Sequence, residues 1–203
     1  MSEYSLVLAS GSPRRRELLT NLGLKFEVIN PGDEVEPAMR DYSNLEQAAL
    51  SVEASARAKA GAVARTLQAT AHRHLVIGAD TVVRYGRHSL GKPHSIAEAR
   101  AMLKSLSGRW HYVLSGVCLC LDGAEQMHCA HAITKVKFRR LNQDEIESYI
   151  ATGLPLDKAG AYGIQDFGSI FVEKLEGCYF NVMGLPLSLV DSMLKEYGVK
   201  ILG

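Results

Sequence analysis

Apolar residues recur along the chain with two periods, one suited to strands and one to helices. The run Leu6-Val7-Leu8-Ala9 predicts a short buried strand. Ser12-Pro13 follows as N-cap and first helical residue, and the helix carries Leu18, Leu19 and Leu22 before Gly23 closes it. Residues 26–29 return as a second strand. A capping box, Ser43-x-x-Glu46, opens a long helix with Leu45, Ala49, Val52, Ala56, Ala60, Val63 and Leu67 at helical spacing. The apolar stretch 75–78 predicts a strand that ends in Asp80, with Thr81-Val82-Val83 continuing it toward a turn near Gly86. Ile96, Ala99, Leu103 and Leu106 mark another helix. Residues 110–121 and 126–141 flank Asp122-Gly123, and 171–175 and 179–183 flank Glu176-Gly177, so two antiparallel hairpins are expected. A box at Asn142-x-x-Glu145 starts a helix through Ile150, and Pro186 starts another with Leu189, Val190, Met193, Leu194 and Tyr197. The pattern predicts an α/β protein with a mixed sheet.

Composition narrows the function classes. A chain of 203 residues, 47% hydrophobic and 22% charged, can bury roughly 70% of its unfolded surface. No repeat or linker divides it, so one domain over 1–203 is expected. With 23 Lys+Arg against 22 Asp+Glu, the bulk charge attracts neither nucleic acid nor an anionic membrane, and a polyanion must be held locally. The longest uncharged stretch, 177–190, is 14 residues and holds Asn181 and Pro186, too short for a membrane span. The opening Met-Ser-Glu-Tyr has no basic region or apolar segment, so no signal peptide is expected. The four cysteines, at 118, 120, 129 and 178, do not resemble a disulfide framework. They are expected to pack as thiols in a reducing, cytoplasmic setting. Alternation places Cys118 and Cys120 on one strand face and turns His128 and His131 to opposite faces, so no zinc site is expected there.

Candidate chemistry concentrates in a few blocks. Ser10-Gly11-Ser12-Pro13-Arg14-Arg15-Arg16 joins a strand to a helix start, where free N–H groups favour an anion. Cations in a first turn are opposed by the helix dipole by about 0.3–1 kcal/mol each, which points to a compensating anion such as phosphate. Arg15 lies in line with Leu18, Leu19 and Leu22 and should point inward, with Arg14 beside it and Arg16 turned away. The alternative is an exposed basic turn paired with Glu17. Lys59 sits at the edge of the long helix's apolar stripe, where its ammonium either snorkels or meets an anion. Asp80, just beyond a buried strand, must find a cation, a metal or a proton. Helix capping is its structural alternative, opposed by the β-favouring Thr81-Val82-Val83. Gly91-Lys92-Pro93 adds a cation in a turn, and Asp157-Lys158-Ala159-Gly160-Ala161-Tyr162-Gly163-Ile164-Gln165 adds a carboxylate, an ammonium, a phenol and an amide. Asp157 and Lys158 could equally pair with each other. Together these blocks describe a site for a metal-bound polyphosphate without a Walker A loop.

In these blocks, with Leu106-Ser107-Gly108-Arg109 and Gly184-Leu185-Pro186, the chain resembles the Maf family of nucleotide pyrophosphatases, the septum formation proteins, over about residues 6 to 197. The resemblance implies an α/β domain with an elongated, twisted mixed sheet, two lobes and a central cleft, related to the inosine triphosphatase fold. It implies hydrolysis of nucleoside triphosphates to the monophosphate and pyrophosphate with a divalent cation, Mg²⁺ or Mn²⁺, and a link to division arrest. Asp80 is then the catalytic proton acceptor, and Ser10, Arg14, Arg15, Lys59 and Lys92 hold the phosphates. Glu34 and Asp80 serve the metal, with Glu36 the alternative to Glu34; Asp157 and Lys158 are further candidates. Arg14, Thr81 and Gln165 match the subgroup that acts on dTTP and UTP, an activity that could extend to modified pyrimidine nucleotides. A Gln165 amide can donate to one pyrimidine group and accept from another, and Tyr162 could stack on the base. The resemblance also carries the expectation of a homodimer. The competing class is a nucleotide-sensing or nucleic-acid-binding regulator, supported by Lys135, Lys137 and Arg139 aligned on one strand face, which a solvated face also explains.

Overall fold

A computed structural model describes residues 4–32, 35, 42–67, 73–121 and 127–202. The strands are β1 (Ser5–Ala9), β2 (Phe26–Val28), β3 (His74–Tyr85), β4 (His88–Leu90), β5 (Trp110–Leu121), β6 (Met127–Phe138) and β7 (Val172–Glu176). They form one mixed sheet in the order β2-β1-β3-β5-β6-β7, with β4 added to the far end of β3. β1 runs parallel to β2 and β3, and the remaining pairs are antiparallel. The helices are α1 (Pro13–Asn21), α2 (Leu45–Leu67), α3 (Ile96–Leu106), α4 (Gln143–Ala151), α5 (Tyr179–Met183) and α6 (Leu187–Glu196).

The two faces of the sheet are covered differently. On one face α2 lies across β1, β3 and β5, its Ala56, Ala60, Val63 and Ala64 packed with Val7, Val76 and Cys118. Farther along, its Ala48, Ala49 and Val52 meet Val82 and Leu114. The other face carries two separate apolar clusters, which are the two lobes. One joins α1 and α6 to Leu6, Leu8, Leu75 and Ile77. The second joins α3 and α4 to Val83, Val113, Val136 and Phe138. Between them lie the buried polar residues Ser115, Thr134 and Asn181.

Several local expectations change. Asn44, not Ser43, caps α2, accepting from the Gln47 amide at 2.9 Å; the Ser43 carbonyl instead accepts from Arg84. Residues 179–183 are the helix α5 rather than a hairpin strand, and β7 pairs with β6. The reason is tertiary: buried Asn181 donates to the Val113 carbonyl and to Thr134 Oγ1, which fixes the segment as a short helix against β5 and β6. Cys118 and Cys129 face each other across β5 and β6 and form a disulfide, so these two cysteines do not pack as thiols; Cys120 and Cys178 stay outside any disulfide. The Asp122-Gly123 turn lies outside the described residues. His128 and His131 reach opposite elements, Glu196 and Glu53. No helix among the described residues is long and apolar enough to cross a membrane.

Candidate active site

β1 pairs with β3 only as far as Ala9 opposite Gly78, and β4 joins β3 only at Val83. On that edge the intervening residues of β3 have no strand neighbour among the described residues, and a cleft of about 870 Å³ opens there. This is the crevice beyond the carboxyl end of a parallel strand, the usual ligand position in open α/β sheets. The cleft is lined by Ser10, Arg14, Arg15, Lys59, Asp80, Thr81, Lys92, Asp157, Lys158 and Gln165. Among the described residues five cationic side chains thus face two carboxylates, a balance suited to a polyanion. Glu34 and Glu36 lie outside the described residues.

Asp80 sits mid-strand in β3, which excludes the helix-cap alternative. It is 9% exposed. Lys59 reaches it from α2, donating to Oδ1 at 2.5 Å, so the anion option holds for this lysine. Among the described residues Asp80 Oδ2 accepts no hydrogen bond and remains available to the cleft.

The arginines divide as their helical positions dictate. Arg14 crosses the cleft and donates to Asp157 Oδ2 at 2.9 Å and to the Asp157 carbonyl at 3.2 Å. Burial alone would raise the Asp157 pKa, but hydrogen bonds from Lys158 and Arg14 outweigh it and hold the carboxyl below its ordinary value. Arg15 is buried and spends four donor contacts on the protein: Ser10 Oγ, the Ala79 carbonyl, Thr81 Oγ1 and the Gly184 carbonyl. It therefore ties the α1 loop, the unpaired stretch of β3 and the turn after α5 to one point. Burial lowers its pKa from the usual arginine value, the charge of Asp80 opposes that, and Arg14 adds to it. Arg16 is exposed.

Thr81 faces away from α2 and its hydroxyl also meets Ser115 Oγ at 2.8 Å and the Gly184 carbonyl at 3.2 Å. Ser10 Oγ accepts from the Ser12 amide; Ser12 itself makes no side-chain cap. The turn bearing Lys92 is fastened to the 157–165 segment by the Gly160 amide donating to the Gly91 carbonyl. Gln165 is exposed at the tip of that segment.

Tyr162 differs from expectation. It is 5% exposed and packs edge-on against His111 and Phe138, so it offers no open face to a base. Its hydroxyl pairs with His111 Nε2 at 2.8 Å. Sequence reasoning passed over His111, Ser115, Tyr149, Asp166 and Asn181. A polar residue inside an apolar run, such as Asn181, was the available signal.

Burial pushes His111 down to about 3. Between that value and the unfolded value near 6.5 the unfolded chain binds the extra proton, so stability is lost as pH falls through this window. From pH 7 to pH 4.5 the loss should be about 2–3 kcal/mol. Urea unfolding at the two pH values should show it, and His111→Gln should show a smaller difference than wild type. Equal pH differences in the two proteins would remove His111 as the cause.

The Maf-like protein family matches residues 5–197. The chain belongs to the Maf family. Among Maf relatives, the dTTP/UTP pyrophosphatase of Moorella thermoacetica is 50% identical over 98% of this chain and 97% of its own length. The dTTP/UTP pyrophosphatase of Thermococcus kodakarensis is 47% identical over 97% and 98%. A HAM1 protein from Coxiella burnetii has a TM-score of 0.48 and 16% identity, covering 95% of this chain and 99% of that one. The strand face proposed for a regulator is engaged locally: Lys135 with Glu176, Lys137 with the Gly108 carbonyl and Arg139 with Glu145.

Proposed function

We propose that this Maf protein hydrolyses dTTP and UTP to the nucleoside monophosphate and pyrophosphate. The observation that carries the reading is the Asp80 carboxylate, held by Lys59 in a cation-lined cleft; the names of the close relatives supply the substrate class. In the reaction a water oxygen forms a bond to the α-phosphorus, the bond from that phosphorus to the bridging oxygen breaks, and pyrophosphate leaves. Asp80 Oδ2 takes the proton from the water. Lys59 fixes the carboxylate in place through its contact with Oδ1. Arg14, Lys92 and the free N–H groups at the start of α1 take up charge on the phosphates. Arg15 contributes its field to the phosphates while it positions Ser10 and Thr81. Gln165, at the cleft rim, reads the pyrimidine edge through its amide.

Among the described residues no group of three or more acidic, His or Cys side chains gathers to hold a metal. The Asp80 carboxylate in the cleft, joined by substrate phosphates, fits Mg²⁺, which keeps waters and takes one or two carboxylates. Asp80 and Glu34 would supply the carboxylates, and the bound cation would neutralise phosphate oxygens. The test is pyrophosphate release from dTTP, UTP, CTP, GTP and 7-methyl-GTP with Mg²⁺ or Mn²⁺. kcat/KM for dTTP and UTP should exceed the others by at least about tenfold. Release from 7-methyl-GTP alone would overturn the specificity, and silence with every nucleotide would favour the binding regulator.

A further inference from the structure

The segment carrying Gln165 is anchored by a chain of charged groups. Lys158 is 6% exposed and donates to the Leu154 carbonyl at 2.7 Å and to Asp157 Oδ1 at 2.7 Å. Its Nζ also lies 3.3 Å from Asp166 Oδ2. The other Asp166 oxygen accepts from the Tyr149 hydroxyl at 3.0 Å and from the Gly168 amide at 2.9 Å. The same Tyr149 hydroxyl accepts from the Gly163 amide at 3.1 Å. Gly163 must be glycine for this closure, since a Cβ there would stand 2.4 Å from Asp166 Oδ2 and 2.7 Å from Lys158 Cε. Alternating charges therefore run from Arg14 through Asp157 and Lys158 to Asp166. One end is the helix start on the phosphate side, and the other adjoins Gln165 in the chain.

We infer that Asp166, clamped between Lys158 and Tyr149, is a specificity-positioning residue that holds Gln165 against the pyrimidine and couples its placement to Arg14. The inference rests on the dTTP/UTP reading above. It follows from what the clamp fixes. Gly163 and Asp166 are both tied to buried groups, so the exposed Gln165 between them has little backbone freedom, and its side chain leaves the segment from a fixed position. An Asn at 166 keeps the shape of the side chain but cancels the charge opposite Lys158. The ammonium keeps the Leu154 carbonyl and the Asp157 carboxylate, and the ionic pull on the Gln165 side of the segment is lost.

The test compares wild type, Asp166→Asn, Gln165→Ala and the double variant in steady-state hydrolysis of dTTP, UTP and CTP, with melting temperatures recorded for each. Asp166→Asn should raise KM for dTTP and UTP about tenfold with kcat within about threefold, and reduce discrimination against CTP about tenfold. The double variant should be no worse than Gln165→Ala, because both changes remove one function. Tyr149→Phe, which removes only a hydroxyl, should move KM and discrimination in the same direction if Asp166→Asn proves too unstable to assay. Equal losses on all three nucleotides, a fall in kcat alone, or full additivity with Gln165→Ala would overturn the inference. A wild type that releases no pyrophosphate from any of the three would instead refute the underlying function.

Discussion

Asp80→Asn should lower pyrophosphate release from dTTP and UTP by about 10³–10⁴-fold while the protein remains folded. The amide matches the carboxylate in size, so the strand position and the contact with α2 survive. What disappears is the capacity to accept a proton from water and the negative charge that Lys59 Nζ approaches at 2.5 Å. Both partners are largely shielded, with side-chain exposures of 17% and 13%. The unpaired ammonium should therefore cost about 1–3 kcal/mol of stability. Side-by-side kinetics, circular dichroism and thermal melts separate the two effects. Activity within tenfold of wild type would remove Asp80 from the role of proton acceptor. A collapse of the fold would mean that the pair is chiefly structural.

How much of this was legible beforehand depends on whether the deciding contact is local. The continuous apolar run 75–78 before Asp80, the 3.6-period stripe of α2 and the Asn142-Glu145 box are local patterns, and the structure keeps all three. The inward turn of Arg15 follows from its alignment with Leu18 and Leu19, and both leucines are buried beside it. What Arg15 holds was not readable. Its four acceptors come from residues 10, 79, 81 and 184, which only the folded sheet brings together. α5 was misread for the same reason: Tyr179 to Met183 is a short apolar run of either type, and the choice is made by hydrogen bonds to β5 and β6. The Cys118–Cys129 bond depends on strand register, which the hairpin expectation alone left unspecified. Asp166 drew no expectation because neither Lys158 nor Tyr149 can be placed against it without the fold.

Gly116→Ala and Gly78→Ala should each destabilise the protein by about 3 kcal/mol, at the upper end for a single added methyl group. A Cβ on Gly116 would stand 2.3 Å from the Val52 carbonyl oxygen and 2.6 Å from the Glu53 nitrogen. On Gly78 it would stand 2.3 Å from the Ala56 carbonyl oxygen and 2.8 Å from the Ala60 nitrogen. These are backbone atoms of one long helix and cannot rotate aside as a side chain would, so the whole of α2 must move outward. The consequence reaches the chemistry. Gly78, Asp80 and Val82 share one face of β3, and Gly116 lies opposite Asp80 on β5. The bare backbone at these two glycines is what lets α2 lie close enough for Lys59 to reach Asp80. Either alanine should therefore lower kcat as well as the urea midpoint, even at temperatures where the variant is fully folded. Adding the substrate and Mg²⁺ should recover part of the stability through binding to the native state. An unchanged midpoint would show that the helix rides farther from the sheet than these distances indicate. A lowered midpoint with wild-type kcat would separate the helix spacing from the placement of Lys59.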